Sequence, residues 1–146
     1  MMLVPSVALA QDFDTGLRAF FAGDYETALK EWRPLAEQGD ASIQFSLALM
    51  YYKGGDYAEA VRWYKLAAEQ GDARAQDILG YMYSEGKGVL QDNQTAHVWY
   101  NIASANGHEG SGKWRNELAS EMTPQSIDEA QRRARVCMGS NYQDCD

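Results

Sequence analysis

The sequence predicts an all-α protein: a solenoid of stacked helical hairpins finished by a C-terminal capping helix. The first observation is an internal repeat. Gly23-Asp24-Tyr25, Ala28 and Leu35-Ala36-Glu37-Gln38-Gly39-Asp40-Ala41 return 32 residues later as Gly55-Asp56-Tyr57, Ala60 and Ala67-Ala68-Glu69-Gln70-Gly71-Asp72-Ala73. A third copy follows at an offset of 36, where Asp56, Ala60, Trp63, Tyr64, Ala67 and Gly71 become Asp92, Ala96, Trp99, Tyr100, Ala103 and Gly107. A period in the thirties means helical hairpins laid side by side, each unable to bury its apolar face alone. The second observation is the spacing within a unit. Tyr57, Ala60, Val61, Tyr64, Ala67 and Ala68 fall on one stripe at helical intervals. The third is punctuation, since Gly39, Gly71 and Gly107 stand where left-handed caps end helices.

Taken in order, the first unit (residues 11–40) places helices near 13–22 and 25–38. The second (41–72) places them near 41–53 and 56–70, and the third (73–108) near 73–84 and 93–105. The four extra residues of the third copy fall in the glycine-bearing turn at 86–91. Ala75, Ile78, Leu79, Met82 and Tyr83 form the stripe of the fifth helix. Alanines on facing stripes let backbones approach, while Trp32, Tyr64 and Tyr100 fill the wedge between neighbours. The cap spans 109–138. It opens with a weakly patterned helix near 109–122 that starts late because of its glycines. Thr123-Pro124 then begins a last helix with Ile127, Ala130, Ala134 and Cys137 on its apolar stripe. Residues 139–146 are a tail.

Composition narrows the function. Thirteen basic against 21 acidic residues give a formal charge of -8, which repels a phosphate backbone and excludes nucleic acid as a partner. Residues 1–10, MMLVPSVALA, are apolar and end in Ala8-Leu9-Ala10, the pattern signal peptidases cut. They read as the remnant of an export signal, with Gln11 starting a periplasmic or secreted protein. No other stretch is long and apolar enough to span a bilayer. Cys137 and Cys145 both fall in the last ten residues, which suggests a local bridge tying tail to last helix; a reduced pair is the alternative. Their spacing fits no zinc pattern, and no metal or cofactor is expected.

Catalytic signals are missing. Gly107-His108-Glu109-Gly110-Ser111-Gly112-Lys113-Trp114 approaches a phosphate loop, but Trp114 stands where a magnesium-binding hydroxyl belongs and no strand precedes it. His97 and His108 read as surface helix residues without a Ser, Cys or carboxylate at a catalytic spacing.

The residues resemble the Sel-one-like repeat family, a branch of the tetratricopeptide superfamily. The resemblance rests on Ala75 to Tyr83, a Gly-x-Gly-Val turn at Gly86 to Val89, Asp92, Ala96, Trp99-Tyr100, and the closing Ala67-Ala68-Glu69-Gln70-Gly71-Asp72-Ala73. The first two units depart from it by lacking that turn. Met122-Thr123-Pro124-Gln125 with Ala130-Gln131 also looks like the C-terminal cap of bacterial members. The resemblance implies a right-handed superhelix used as an adaptor or regulator. Some cysteine-rich relatives bind penicillin or hydrolyse β-lactams weakly, which supplies the alternative of a weak envelope hydrolase. Those carry a disulfide in every repeat, whereas this chain confines its cysteines to the tail.

The expected protein-binding site is the concave groove that such stacks present. The helix at 41–53 directs Ile43, Leu47, Met50 and Tyr51 toward the core and leaves Phe45, Leu49 and Tyr52 as a second apolar stripe. The helix at 73–84 offers Asp77, Tyr81 and Ser84 on the equivalent face. The resulting expectation is a monomeric, non-enzymatic scaffold that holds a protein or peptide there.

Overall fold

The computed structural model describes residues 6–146, with side chains from residue 13 onward. Eight helices occupy the described residues: α1 (Ser6–Phe21), α2 (Tyr25–Glu37), α3 (Ala41–Lys53), α4 (Tyr57–Ala68), α5 (Ala73–Glu85), α6 (Asn93–Ala105), α7 (Ser111–Ala119) and α8 (Pro124–Gly139). Each α1/α2, α3/α4 and α5/α6 pair packs as a hairpin, and the hairpins stack through α2 on α3 and α4 on α5. This is the all-helical repeat solenoid.

Local chemistry fixes the element boundaries. Asp24, Asp40, Asp56, Asp72 and Asp92 each stand just before a helix and accept a hydrogen bond from one of its first backbone amides, occupying a donor that has no partner within the helix. Thr123 does the same for α8 by accepting from the Ser126 amide, with Pro124 in the first turn. Asp56 is thus the cap of α4 and not its first turn, so the helix is shorter than the expected 56–70. At the other ends Gly39, Gly71 and Gly107 take positive φ.

Two boundaries differ more. The helix expected at 13–22 begins at Ser6, so part of the apolar stretch read as an export remnant is helical. The remainder of that stretch, residues 1–5, lies outside the described residues. α7 is confined to Ser111–Ala119 because Gly110, at φ 91°, supplies no side-chain cap and delays the start.

The core follows the predicted stripes. Ala28, Ala36, Ala60, Ala67, Ala75, Ala96 and Ala103 are fully buried, and Trp32, Tyr64 and Tyr100 fill the wedges beside them. In the first hairpin the Trp32 indole donates to the Phe13 carbonyl at 3.1 Å and lies against Phe20, ring centroids 5.7 Å apart. Two buried glutamines add a repeating polar clamp. Gln44 donates to the Ala36 carbonyl and Gln76 to the Ala68 carbonyl of the preceding unit, both at 3.0 Å; each then accepts from the end of its own unit, Gln44 from Gln70 and Gln76 from Asn106.

The C-terminal region departs from the hairpin pattern. α8 packs chiefly on α6, through Ala130, Ala134 and Cys137, while α7 lies on the other flank of α6. Cys137 and Cys145 are joined by a disulfide, and the tail doubles back over the stack. There Tyr142 meets Asn106, and Asp146 pairs with Lys65 of α4 at 2.7 Å.

Candidate binding groove

A continuous hollow runs between α5 and α7 with Tyr100 of α6 as its floor. It consists of two adjoining cavities of about 310 and 270 Å³ that share Ser84, Glu85, Tyr100 and Trp114. The inner one is walled by Ile78 and Tyr81, with Asp77 at its end. The outer one opens between Gln91 and Asn93 on one side and Glu117, Leu118 and Glu121 on the other. α5 delivers Asp77, Tyr81, Ser84 and Glu85 to one wall because they recur at helical intervals, and Trp114, Glu117 and Leu118 share a face of α7 for the same reason, with Glu121 following in the turn after it. A larger hollow of about 470 Å³ lies elsewhere, among the ends of α2 and α4, but its polar wall includes Gln44 and Gln70, which already satisfy each other.

An exposed tryptophan distinguishes the groove. Trp32, Trp63 and Trp99 are buried, whereas Trp114 is 52% exposed and Tyr81 38%. Tyr100 is buried beneath them, and that burial pushes its hydroxyl up to about 12, so it stays protonated. Glu85, Glu117 and Glu121 are exposed carboxylates along the rim. Among the described residues Glu85 and Glu121 have no ion-pair partner, and Glu117 has only Lys113 at 3.9 Å, both well solvated.

Of the expected site residues, the structure brings Asp77, Tyr81 and Ser84 together in the groove. It places Phe45, Leu49 and Tyr52 elsewhere. Phe45 is covered, with the Tyr64 ring edge-on at 5.5 Å and the Arg74 guanidinium stacked over its face at 4.3 Å. Leu49 is half-buried on α3. Tyr52 packs against Tyr57 at 5.1 Å, and its hydroxyl meets Lys87 Nζ at 3.3 Å. That ammonium also sits 5.1 Å from the Tyr81 ring, and contact with Tyr81 and then Tyr52 raises its pKa above the ordinary lysine value. Lys87 therefore bridges Tyr52 of α3 and Tyr81 of α5. Sequence reasoning missed Ile78 as a wall residue, together with Glu85, Tyr100, Trp114 and the α7 carboxylates. The helical interval from Asp77 through Tyr81 to Glu85 was the available signal.

Both histidines are corrected. His97 is only 2% exposed, and its Nδ1 has no hydrogen-bond partner. Burial first, and the nearby Arg115 charge second, lower its pKa, so it is neutral at pH 7. His108 lies in the turn before α7, half-buried, with Nδ1 3.0 Å from Ser111 Oγ and 3.6 Å from Asp77 Oδ1. Three residue types of a hydrolase triad thus meet. The order of contacts is wrong for one: the Ser111 hydroxyl donates to Asp77 at 2.6 Å, and Ser111 is wholly buried, closed to any substrate. The cluster fastens the start of α7 to α5, which sets the width of the groove.

Comparison with known proteins follows the same lines. The Sel1 repeat pattern matches residues 41–72 and 73–108. A Sel1 repeat protein from Oxalobacter formigenes has a similar crystal structure, with 31% identity and a TM-score of 0.64 over 75% of this chain and 88% of that one. The structure of c5321, a protective antigen of uropathogenic Escherichia coli strains displaying an SLR fold, superposes with a TM-score of 0.79 at 26% identity over 92% of this chain. This chain spans 31% of the length of c5321. No curated protein matches the chain.

Proposed function

The chain belongs to the Sel1 repeat family, and from that premise we propose that it is an exported scaffold or regulatory adaptor that holds a protein or peptide segment in the groove between α5 and α7. The observation that carries this reading is the exposure of Trp114 and Tyr81 over a preformed hollow, in a chain whose other tryptophans are buried. Residues 11–40, 41–72 and 73–108 form the three units, 109–138 the cap, and the protein works as a monomer by binding, not catalysis. Export is supported by the Cys137–Cys145 disulfide, a bond that persists in oxidising compartments. No helix among the described residues is long and apolar enough to cross a membrane.

The test is affinity capture from the envelope fraction with wild type and with a Tyr81→Asp, Trp114→Asp variant of unchanged circular dichroism. Loss of the captured partner is expected; undiminished capture refutes the groove. Fractionation with thiol alkylation tests export, expecting an envelope protein with both cysteines blocked. Light scattering across concentrations tests the monomer.

A further inference from the structure

We infer that the groove is built for a cationic peptide segment: a bulky apolar side chain enters the recess beside Ile78 and Tyr81, and a neighbouring arginine or lysine lies over Trp114 toward Glu85 and Glu121. This rests on the groove being the binding site and names the chemistry of what occupies it.

The two cavities differ in character. The inner recess is bounded by the Ile78 side chain and the rings of Tyr81, Tyr100 and Trp114, so it rewards removal of apolar surface from water. Of its two carboxylates, Asp77 is already engaged by the Ser111 hydroxyl, and Glu85 is the one shared with the outer cavity. The outer cavity adds Glu117 and Glu121 to the shared Glu85, three carboxylates facing a single weak internal cation, Lys113. Lys113 is also 6.0 Å from the Trp114 ring, at the limit of a cation–π contact, and is mostly exposed, so an incoming guanidinium can take its place. Arginine fits best, because its planar group stacks on an indole face while its edge donates to a carboxylate.

Net charge points the same way. At -8 the molecule attracts a basic segment during approach and repels an acidic one. A neutral apolar ligand would fill the recess and leave the Glu85 and Glu121 carboxylates without a counter-charge.

The experiment is selection of a random-peptide display library on the purified protein, followed by synthesis of the selected peptides with a fluorescent label and titration by anisotropy. The expected peptides carry Arg or Lys within about three positions of a large apolar residue, a spacing set by the reach of an extended chain. Their affinity should fall about tenfold in a Glu85→Gln, Glu121→Gln variant and fall again as salt rises, as for charge pairs at a solvated rim. Selected peptides that need Trp114 and Tyr81 but lack basic residues, or that ignore the glutamine substitutions, overturn the charge assignment and leave the groove reading intact. Peptides that bind the Tyr81→Asp, Trp114→Asp variant as well as wild type, or a library that yields no binder, overturn both.

Discussion

Gly80 lies flat against the ring of Tyr100: a Cβ added there would fall 2.6 Å from Tyr100 Cδ1. The first unit repeats the relationship, with a Cβ on Gly16 reaching 2.2 Å from the Trp32 indole nitrogen. In the second unit the corresponding pair is Ala48 and Tyr64, both buried. Small against large is therefore the rule by which each hairpin closes. Gly80→Ala should destabilise by about 1–3 kcal/mol through overpacking, read as a lower Tm. Gly139→Ala, in α8 with open space around it, should be neutral or stabilising by about 0.5–1 kcal/mol. Equal effects at the two positions would remove the packing explanation.

The glutamine clamps can be tested one at a time. Gln76→Leu keeps the bulk but removes one of the two hydrogen bonds at the Ala68 carbonyl, which keeps the Gly71 amide, and releases Asn106, and should cost about 1 kcal/mol in urea unfolding. Gln44→Leu should cost a similar amount, because its geometry is the same. A negligible loss at both would mean that water replaces these bonds.

Acid should weaken the fold through His97. Its folded pKa is lowered by burial, so the unfolded chain binds the proton more readily, and stability falls as pH drops below the unfolded value of about 6.5. Above that value both states are neutral and the contribution is constant. Tm measured from pH 7.5 to 5 should decline less steeply in His97→Leu than in wild type. The difference between the two isolates His97 from Glu69, whose pKa burial raises and whose effect runs the opposite way. Parallel curves would sink the assignment.

Reduction of the disulfide opens a short loop, removing about 2–3 kcal/mol by chain entropy. The tail contacts of Tyr142 with Asn106 and Asp146 with Lys65 depend on that closure. Hydrogen exchange should accelerate at residues 140–146 in reductant while α3 and α4 stay protected. Unchanged exchange in the tail would show that packing alone holds it.

How much of this was legible depends on whether the cause is local. The stripes, the glycine stops and the Thr123-Pro124 start are set within a few residues, and the predicted helices of the second and third hairpins match closely. The start of α1 was hidden because an apolar run ending in Ala8-Leu9-Ala10 satisfies a signal-peptide reading and a helix equally well. The covering of Phe45 on the α3 stripe was hidden for a different reason: it is made by the guanidinium of Arg74, a charged residue whose stacking no hydropathy pattern displays. Trp114 was judged only as a failed phosphate-loop position, and its face with Glu117 and Glu121 went unread. Gln44 and Gln76 drew no reading at all, because their partners lie on other elements of the stack.

The seating of α8 on α6 bears on length. Like units that stack through matching faces carry no instruction to stop, and an open final face invites another molecule to continue the row. Here the last full hairpin presents that face to its own chain, and the disulfide ties the occupant to the tail that runs back to Asn106 and Lys65. Prising α8 away would bare the side of α6 that Ala130, Ala134 and Cys137 keep from water.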